Sequence, residues 1–457
     1  MTTLSLPYSI AQMVKDRADE LGDTPVFYFN SEPVTYRDLH RNSNKTANRL
    51  AASGIKKGDR VAFLGKNSPS YFELIAAAAK IGAVIVPINW RLAGPELKYI
   101  LNDCQAKKVF LELDFLPNLE AIKGDLTLNP ETVLLTGNAP TTTSYEDWRT
   151  PFPDQDPGVT VTADDEVVQL YTSGTTGRPK GALLTSTMLL SLRGQASSDV
   201  VEDWQRYEQG ETGLLVMPCF HVGGTSFGLG IIFNGANSVI LPEYDQDQII
   251  QLIEQFKVSK VFMVPAALKS LLDNPSLQSA DVRSLRHIYY GASPIPLELM
   301  KAAIKRFGCA FVQMYGMTES GGTIVALTPE DHDLNGGEKM GSVGKALVGV
   351  ELKIIDRAGH TLPAGEVGEI ATRSSKNIKA YWNLPEATQS TIDDEGWLRT
   401  GDAGYLDSDG YLYIRDRVKD MIISGGENIY PAEVENALLS HPQVGDCLLY
   451  TSPSPRD

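Results

Sequence analysis

The chain has 457 residues, 42% hydrophobic and 21% charged, with a formal net charge of -16. That length leaves room for two or three domains with ample core, and the acidic balance argues against nucleic-acid or anionic-membrane binding through bulk charge. Four scattered cysteines, Cys104, Cys219, Cys309 and Cys447, form no C-x-x-C, which argues against disulfides and thiolate metal sites and fits a reducing, cytoplasmic setting.

The N-terminal residues carry no basic stretch followed by an apolar core, so they read as an amphipathic helix over 9–21 rather than a secretory signal. Residues 59–89 then read strand ("RVAFLG"), helix ("SYFELIAAAAKIGA"), strand ("VIVPIN"). Their apolar run, 74–88, is interrupted by Lys80 and is too short to span a bilayer. Next, the buried-strand pattern "EVVQL" (166–170) runs into "YTSGTTGRPKG" (171–181), with three glycines, four Ser/Thr hydroxyls, Arg178 and Lys180. A strand entering such a turn can open a cradle of N–H groups to phosphate oxygens. A mobile surface loop is the plain alternative, and Pro179 speaks against it by stiffening the turn.

The strand–helix rhythm resumes from residue 238 with "SVILP", "QDQIIQLIEQF", "KVFMVP", "ALKSLLDN", "LRHIYY", "PLELMKAAIKRFG" and "AFVQMYG". Short apolar strands alternating with helices imply parallel sheets covered on both faces, with ligands at the carboxyl ends of the strands. "GASPIP" (291–296) and "YGMTES" (315–320) fall at two such ends. Beyond about residue 341, "GVELKIID", "GEIATR" and "GYLYIRDR" alternate in period two and read as a smaller antiparallel unit. From residue 418, a short strand, the pair Gly425–Gly426 and a helix opened by Pro431 suggest a separate module.

No Gly-Lys pair is followed by Ser or Thr, so the phosphate loop is not a Walker loop, and no dinucleotide fingerprint follows a strand. "YTSGTTGRPKG" resembles the signature of the adenylate-forming superfamily, in its acyl-CoA synthetase branch. Further stretches resemble its other motifs in order: "MPCFHVGG" (217–224), "GASPIP", "YGMTES", "LRTGDAGYLD" (398–407) and "RDRVKDMIISGGENIYP" (415–431). The resemblance implies a large N-terminal domain of parallel α/β sheets with a smaller β unit over 1–416. A small α+β C-terminal domain would begin over 417–446.

It also implies ATP and Mg2+ as cofactors and coenzyme A as co-substrate. The chemistry would fall to Thr172, Lys180, His221, Thr318 and Glu319. Nucleotide contacts would come from Thr172, Ser173, Gly174, Thr175, Thr176, Gly177, Lys180, Gly291, Ala292, Ser293, Tyr315, Gly316, Thr318, Asp402 and Arg417. Lys419 would be the pivot between two C-terminal orientations, Gly425 and Gly426 would lie along the thiol's arm, and Thr176 and Glu319 would hold the metal. Taken singly, each has a plainer reading: Tyr315 as core packing, Glu319 as a solvated side chain, Asp402 as a turn aspartate, Arg417 as a surface pair. Expected partners are a small acid, ATP and coenzyme A, with no nucleic acid and no transmembrane segment; peripheral membrane contact and a homodimer stay open.

Amino-acid-activating relatives carry an Asp after the aromatic of the pocket motif. Here that position is His221, and no Asp or Glu occurs over 212–242. A buried ammonium would lack a carboxylate partner at some cost, so the acid is expected to be fatty or aryl, with a fatty acid first. Gly223, Gly224, Gly228 and Gly230 with Val222, Phe227 and Leu229 are expected to line an apolar channel. The acceptor could instead be a carrier-protein thiol. A rival from another class is an esterase, because "GTSFG" (224–228) matches the hydrolase nucleophile elbow with Ser226 as nucleophile. That elbow needs a strand directly before its first glycine.

The family's small domain continues several dozen residues past the His441–Pro442 position and carries a lysine near its end. This sequence instead runs into "CLLYTSPSPRD" (447–457), whose back-translation resembles a sequencing adapter. Residues 447–457 are therefore expected to be non-native and the natural enzyme longer. The chain as written would bind ATP but adenylate poorly, or be a catalytically silent nucleotide binder.

Overall fold

The computed structural model describes residues 8–137, 139–140, 142–172, 178–194, 202–208, 210–333, 337–420, 422–424, 427–431 and, singly, 434, 435, 438, 444, 447 and 449. Ser173 to Gly177, Gly425 and Gly426 lie outside these residues, as do most of the helix expected after Pro431 and most of the 447–457 tail.

The chain is mixed α/β, with two large sheets, a smaller antiparallel one and a two-stranded antiparallel ribbon, Ile422–Ser424 with Glu427–Ile429, among the described residues. In the first, strands run in the order Thr143–Ser144, Glu131–Thr136, Lys108–Glu112, Arg60–Leu64, Val84–Pro87, Glu166–Thr172 and Lys180–Thr185. All neighbours are parallel except the last pair. In the second, Pro25–Phe29, Asn237–Ile240, Thr212–Leu215, Lys260–Met263, His287–Gly291 and Ala310–Met317 form a parallel core with antiparallel edges. The third joins Glu351–Ile355, Gly368–Arg373, Leu398–Leu406 and Leu412–Arg417, all antiparallel. It is the smaller β unit that period-two alternation predicts.

Helix Pro69–Ile81 is the shared middle layer. Every position but one is buried, as expected where a helix is apolar all round. Its Phe72 meets Phe27 of the second sheet at 5.0 Å between ring centres, and Tyr71 meets Phe63 of the first at 5.1 Å. Burying such a ring contributes about 1.5–3 kcal/mol, so this helix clamps the sheets into fixed relation. Asn67, just before it, completes the clamp: Nδ2 donates to Met217 O and Leu241 O (3.1 Å each), and Oδ1 accepts from Cys219 N–H at 2.8 Å. Asn67 follows the carboxyl end of strand Arg60–Leu64, and its two acceptors follow those of Thr212–Leu215 and Asn237–Ile240, so carboxyl ends of strands from the two sheets meet here.

One element extends further than its sequence reading: the strand read as "EVVQL" continues to Thr172. After the loop the chain turns back as strand Lys180–Thr185, which the sequence reading did not assign, with Thr172 opposite Lys180. Gly181 to Thr185 are all buried in that strand, around the apolar "ALL" (182–184), and the glycines before it hid the pattern.

Candidate active site

Strand Ala310–Met317 carries the nucleoside end. Tyr315 OH donates to Asp402 Oδ2 at 2.7 Å, and Arg417 Nε meets Asp402 Oδ1 at 2.9 Å. The β ladder enforces this meeting, since Asp402 and Arg417 are register partners in adjacent antiparallel strands. Asp402 is 7% exposed. Burial pushes its carboxyl above the usual carboxylate range, against the opposing pull of Arg417 and the Tyr315 hydroxyl. Gly316 permits the strand's close pairing, because a Cβ there would stand 2.1 Å from Gly322 O.

The phosphate end lies three residues on. Strand Ala310–Met317 closes in a single 3-10 turn, Thr318–Ser320, which buries Glu319 at 5% exposure. Thr172 Oγ1 donates to Glu319 Oε1 at 3.0 Å, and Tyr381 OH donates to the same oxygen at 2.8 Å. Lys180 Nζ lies 5.1 Å from the centre of the Tyr381 ring. Thr318 is half-buried at the start of the turn.

Gly291 ends strand His287–Gly291 beside strand Ala310–Met317; a Cβ there would lie 2.1 Å from Met314 O. Ala292 follows in the left-handed region at φ 68° and is exposed, as is Ser293. Such outliers cost on the order of 1 kcal/mol and concentrate at functional sites. His221 is the exposed N-cap residue of helix Val222–Asn234, its ring 4.6 Å from that of Phe220. Among the described residues it makes no hydrogen bond or ion pair with Glu319 or Asp402. Lys419 is exposed.

Helix Val222–Asn234 corrects two readings. "GTSFG" lies inside this helix, and the preceding strand ends at Leu215. Ser226 is therefore on no strand-to-helix elbow, and the esterase reading is abandoned. The glycines do not all line a channel either. A Cβ on Gly224 would meet Pro218 O at 2.3 Å, and one on Gly228 would meet Phe72 Cζ at 2.1 Å. Both let the helix pack against its neighbours, while Leu229 is buried in the central core and Gly230 is buried too. The half-buried face is Val222, Gly223, Ser226 and Phe227. Val222 and Ser226 lie toward Gly322, and Gly223 lies toward Met217 and Phe262.

Tyr381 is the residue the sequence did not reveal. It sits in "NIKAYWN" between a strand and a helix, 62 positions from the carboxylate it touches. No local spacing marks it.

Among the described residues, no group of three His, Cys, Asp or Glu side chains could enclose a metal. Glu319 alone offers a carboxylate here, with Oε2 accepting no hydrogen bond from the described residues. That donor set fits Mg2+, which uses one or two carboxylates and completes its shell with phosphate and water oxygens. No helix of the described residues is long and apolar enough to cross a membrane.

Residues 14–382 match the family model described as AMP-binding enzyme. The chain is 39% identical over 449 residues to a fatty acid–[acyl-carrier-protein] ligase, ScoC, of Streptomyces coeruleorubidus, spanning 98% of this chain and 84% of that protein. It is 38% identical to the long-chain-fatty-acid–CoA ligase FadD13 of Mycobacterium tuberculosis, over 90% of this chain and 79% of that one. Its fold superposes on the anthranilate CoA ligase AuaEII in complex with anthranoyl-AMP, with a TM-score of 0.88 at 28% identity, covering 99% and 86% of the two chains. The chain belongs to the AMP-binding enzyme family, within the adenylate-forming superfamily.

Proposed function

We propose that the chain activates a fatty acid as acyl-AMP and transfers the acyl group to the thiol of coenzyme A. The supporting observation is one short segment, Tyr315 to Glu319, that joins a nucleoside-shaped end to a phosphate-shaped end. The adenine lies against Tyr315 and the segment from Gly291 to Ser293. The ribose hydroxyls donate to Asp402, with Arg417 alongside. Lys180 and Thr172 lie beside the phosphates, to which the N–H groups of residues 173–177 would donate, and Thr318 reaches the α-phosphate.

The acid's carboxylate oxygen attacks the α-phosphorus and pyrophosphate leaves with the broken P–O bond. Charge builds on the phosphate oxygens in that step, and preorganised donors and cations stabilise it most where water is excluded. Glu319, together with Thr176, would hold Mg2+, which when bound would supply charge neutralisation at the phosphates. The thiolate of coenzyme A then attacks the acyl carbon and AMP departs. Lys419 as pivot and Gly425–Gly426 along the thiol's arm would serve this second step, with residues from 417 onward moving relative to the rest.

A fatty acyl group is supported by the Val222–Phe227 face and by the lack of any Asp or Glu over 212–242. An aryl acid is the second reading, favoured by the ring cluster behind that face: Phe227 meets Tyr289 edge-on at 6.4 Å, near Phe262. The acceptor in the second reading is also coenzyme A, while ScoC's name offers a carrier protein instead. Calorimetric titration with acyl-sulfamoyladenosines, stable mimics of acyl-AMP, separates these. A dodecanoyl mimic binding at least tenfold tighter than a benzoyl mimic supports the fatty reading; the reverse order establishes the aryl one, and no binding by either removes the adenylation reading.

A further inference from the structure

Residues 374–382 form a strap across the site that no motif of the sequence assigned. Ile378 N–H donates to Glu319 O at 2.8 Å, pinning the 3-10 turn. Leu183 N–H donates to Ala380 O (3.3 Å) and Trp382 N–H to Gly181 O (2.8 Å), so the same strap lies alongside the strand that begins at Lys180. Its far end is held rigidly. Trp382 Nε1 donates to Asp103 O at 2.9 Å, and the Arg60 guanidinium sits 3.5 Å over the Trp382 ring. Tyr381 N–H donates to Thr388 Oγ1 at 3.0 Å, and the residue is only 6% exposed.

The strap thus ties the hairpin that presents Lys180 to the turn that presents Glu319, with Tyr381 at the crossing. Its hydroxyl reaches Glu319 Oε1 at 2.8 Å and its ring lies 5.1 Å from Lys180 Nζ. Thr172 donates to the same Oε1 at 3.0 Å. Two donors on one oxygen fix the carboxylate's rotation and leave Oε2 as its open acceptor among the described residues. Resting on the site reading above, we propose that Tyr381 is a positioning residue that locks Glu319 through Oε1 so that Oε2 is presented to a divalent cation bridging the nucleotide phosphates.

Tyr381→Phe removes the donor and keeps the ring beside Lys180; Tyr381→Leu removes both. Titration of the full chain with a non-hydrolysable ATP analogue, once in EDTA and once in saturating Mg2+, separates the roles without needing turnover. The Phe variant is expected to lose about tenfold of the affinity gained on adding Mg2+, the scale of one hydrogen bond to a charged group, with EDTA affinity within about twofold of the parent. The Leu variant should also lose about threefold in EDTA, as Lys180 loses its aromatic platform. Mn2+ titration followed by electron paramagnetic resonance in the presence of the analogue should report the same weakening for the Phe variant.

A Phe variant that keeps the whole metal-dependent gain overturns the proposal. So does one that loses affinity equally with and without metal, since that is a general structural defect. A parent protein that binds the analogue with no gain from Mg2+ removes Glu319 as a metal ligand and this proposal with it. A parent that binds no nucleotide at all refutes the underlying site reading instead.

Discussion

Replacing Asp402 by Asn keeps the shape of the nucleoside end and removes its charge. In the free protein the two carboxylate oxygens hold Tyr315 OH and Arg417 Nε, at 2.7 and 2.9 Å. Ribose hydroxyls would exchange with or share these partners, so the loss is smaller than two full bonds. Hydrogen bonds to a charged acceptor contribute about 1.5–3 kcal/mol each, and a net cost of about 2–3 kcal/mol is expected, a roughly 30- to 140-fold weaker Kd for AMP.

Calorimetry with AMP, adenosine and adenine isolates the contribution, because adenine has no ribose and its affinity should stay within about twofold. The pH dependence follows from the raised carboxyl. The folded protein holds this proton more tightly than the unfolded chain does. Its contribution to stability is therefore full below the ordinary carboxylate range and is lost as pH rises through the raised value. AMP affinity moves the opposite way, since the carboxylate is the better acceptor. Asp402→Asn should flatten both slopes. An Asn variant that binds AMP within about threefold of the parent, or loses adenine and AMP alike, would refute the placing of the ribose.

Three further outcomes are expected. Gly228→Ala should destabilise the fold by about 1–3 kcal/mol in urea unfolding, because its methyl meets Phe72, yet leave acyl-adenylate affinity unchanged; altered chain-length preference would put Gly228 back in the channel. Ser226→Met, on the face toward Gly322, should weaken a dodecanoyl-adenylate mimic at least tenfold and spare AMP, with equal loss of both counting against the placing of the acyl group. Lys80 is buried, its ammonium on Ser43 Oγ (2.7 Å) and Asn44 Oδ1 (2.6 Å), and burial lowers it to about 7. Between that value and the ordinary lysine range the unfolded chain binds the extra proton, so stability should rise with pH from about 7 to 10, and Lys80→Met should remove that rise. Parallel pH profiles for the two proteins would contradict it.

Much of this was legible because the parallel strands are short apolar runs between helical periods, as at "KVFMVP" and "HIYY", and burial on both faces leaves little ambiguity. Helix Gln246–Phe256 coincides with its sequence reading, its Asp245 cap bonding Gln248 N–H. Asp402 and Arg417 were each assigned to the nucleotide from motif order, and strand register is what makes them a pair. The face of helix Val222–Asn234 was not legible. Glycine in sequence does not say whether the missing side chain makes room for substrate or for Phe72, and only the packing decides. Tyr381 was hidden for a related reason: its role arises from a contact with Glu319 across two sheets.

The central claim is that a carboxylate oxygen of the substrate becomes bonded to the α-phosphorus of ATP. Supplying the full-length polypeptide with ATP, coenzyme A and a fatty acid whose carboxylate carries oxygen-18 tests it directly by mass spectrometry of the nucleotide product. AMP bearing one heavy oxygen, formed with pyrophosphate, is the predicted result. Unlabelled AMP, or ADP as the nucleotide product, would contradict it.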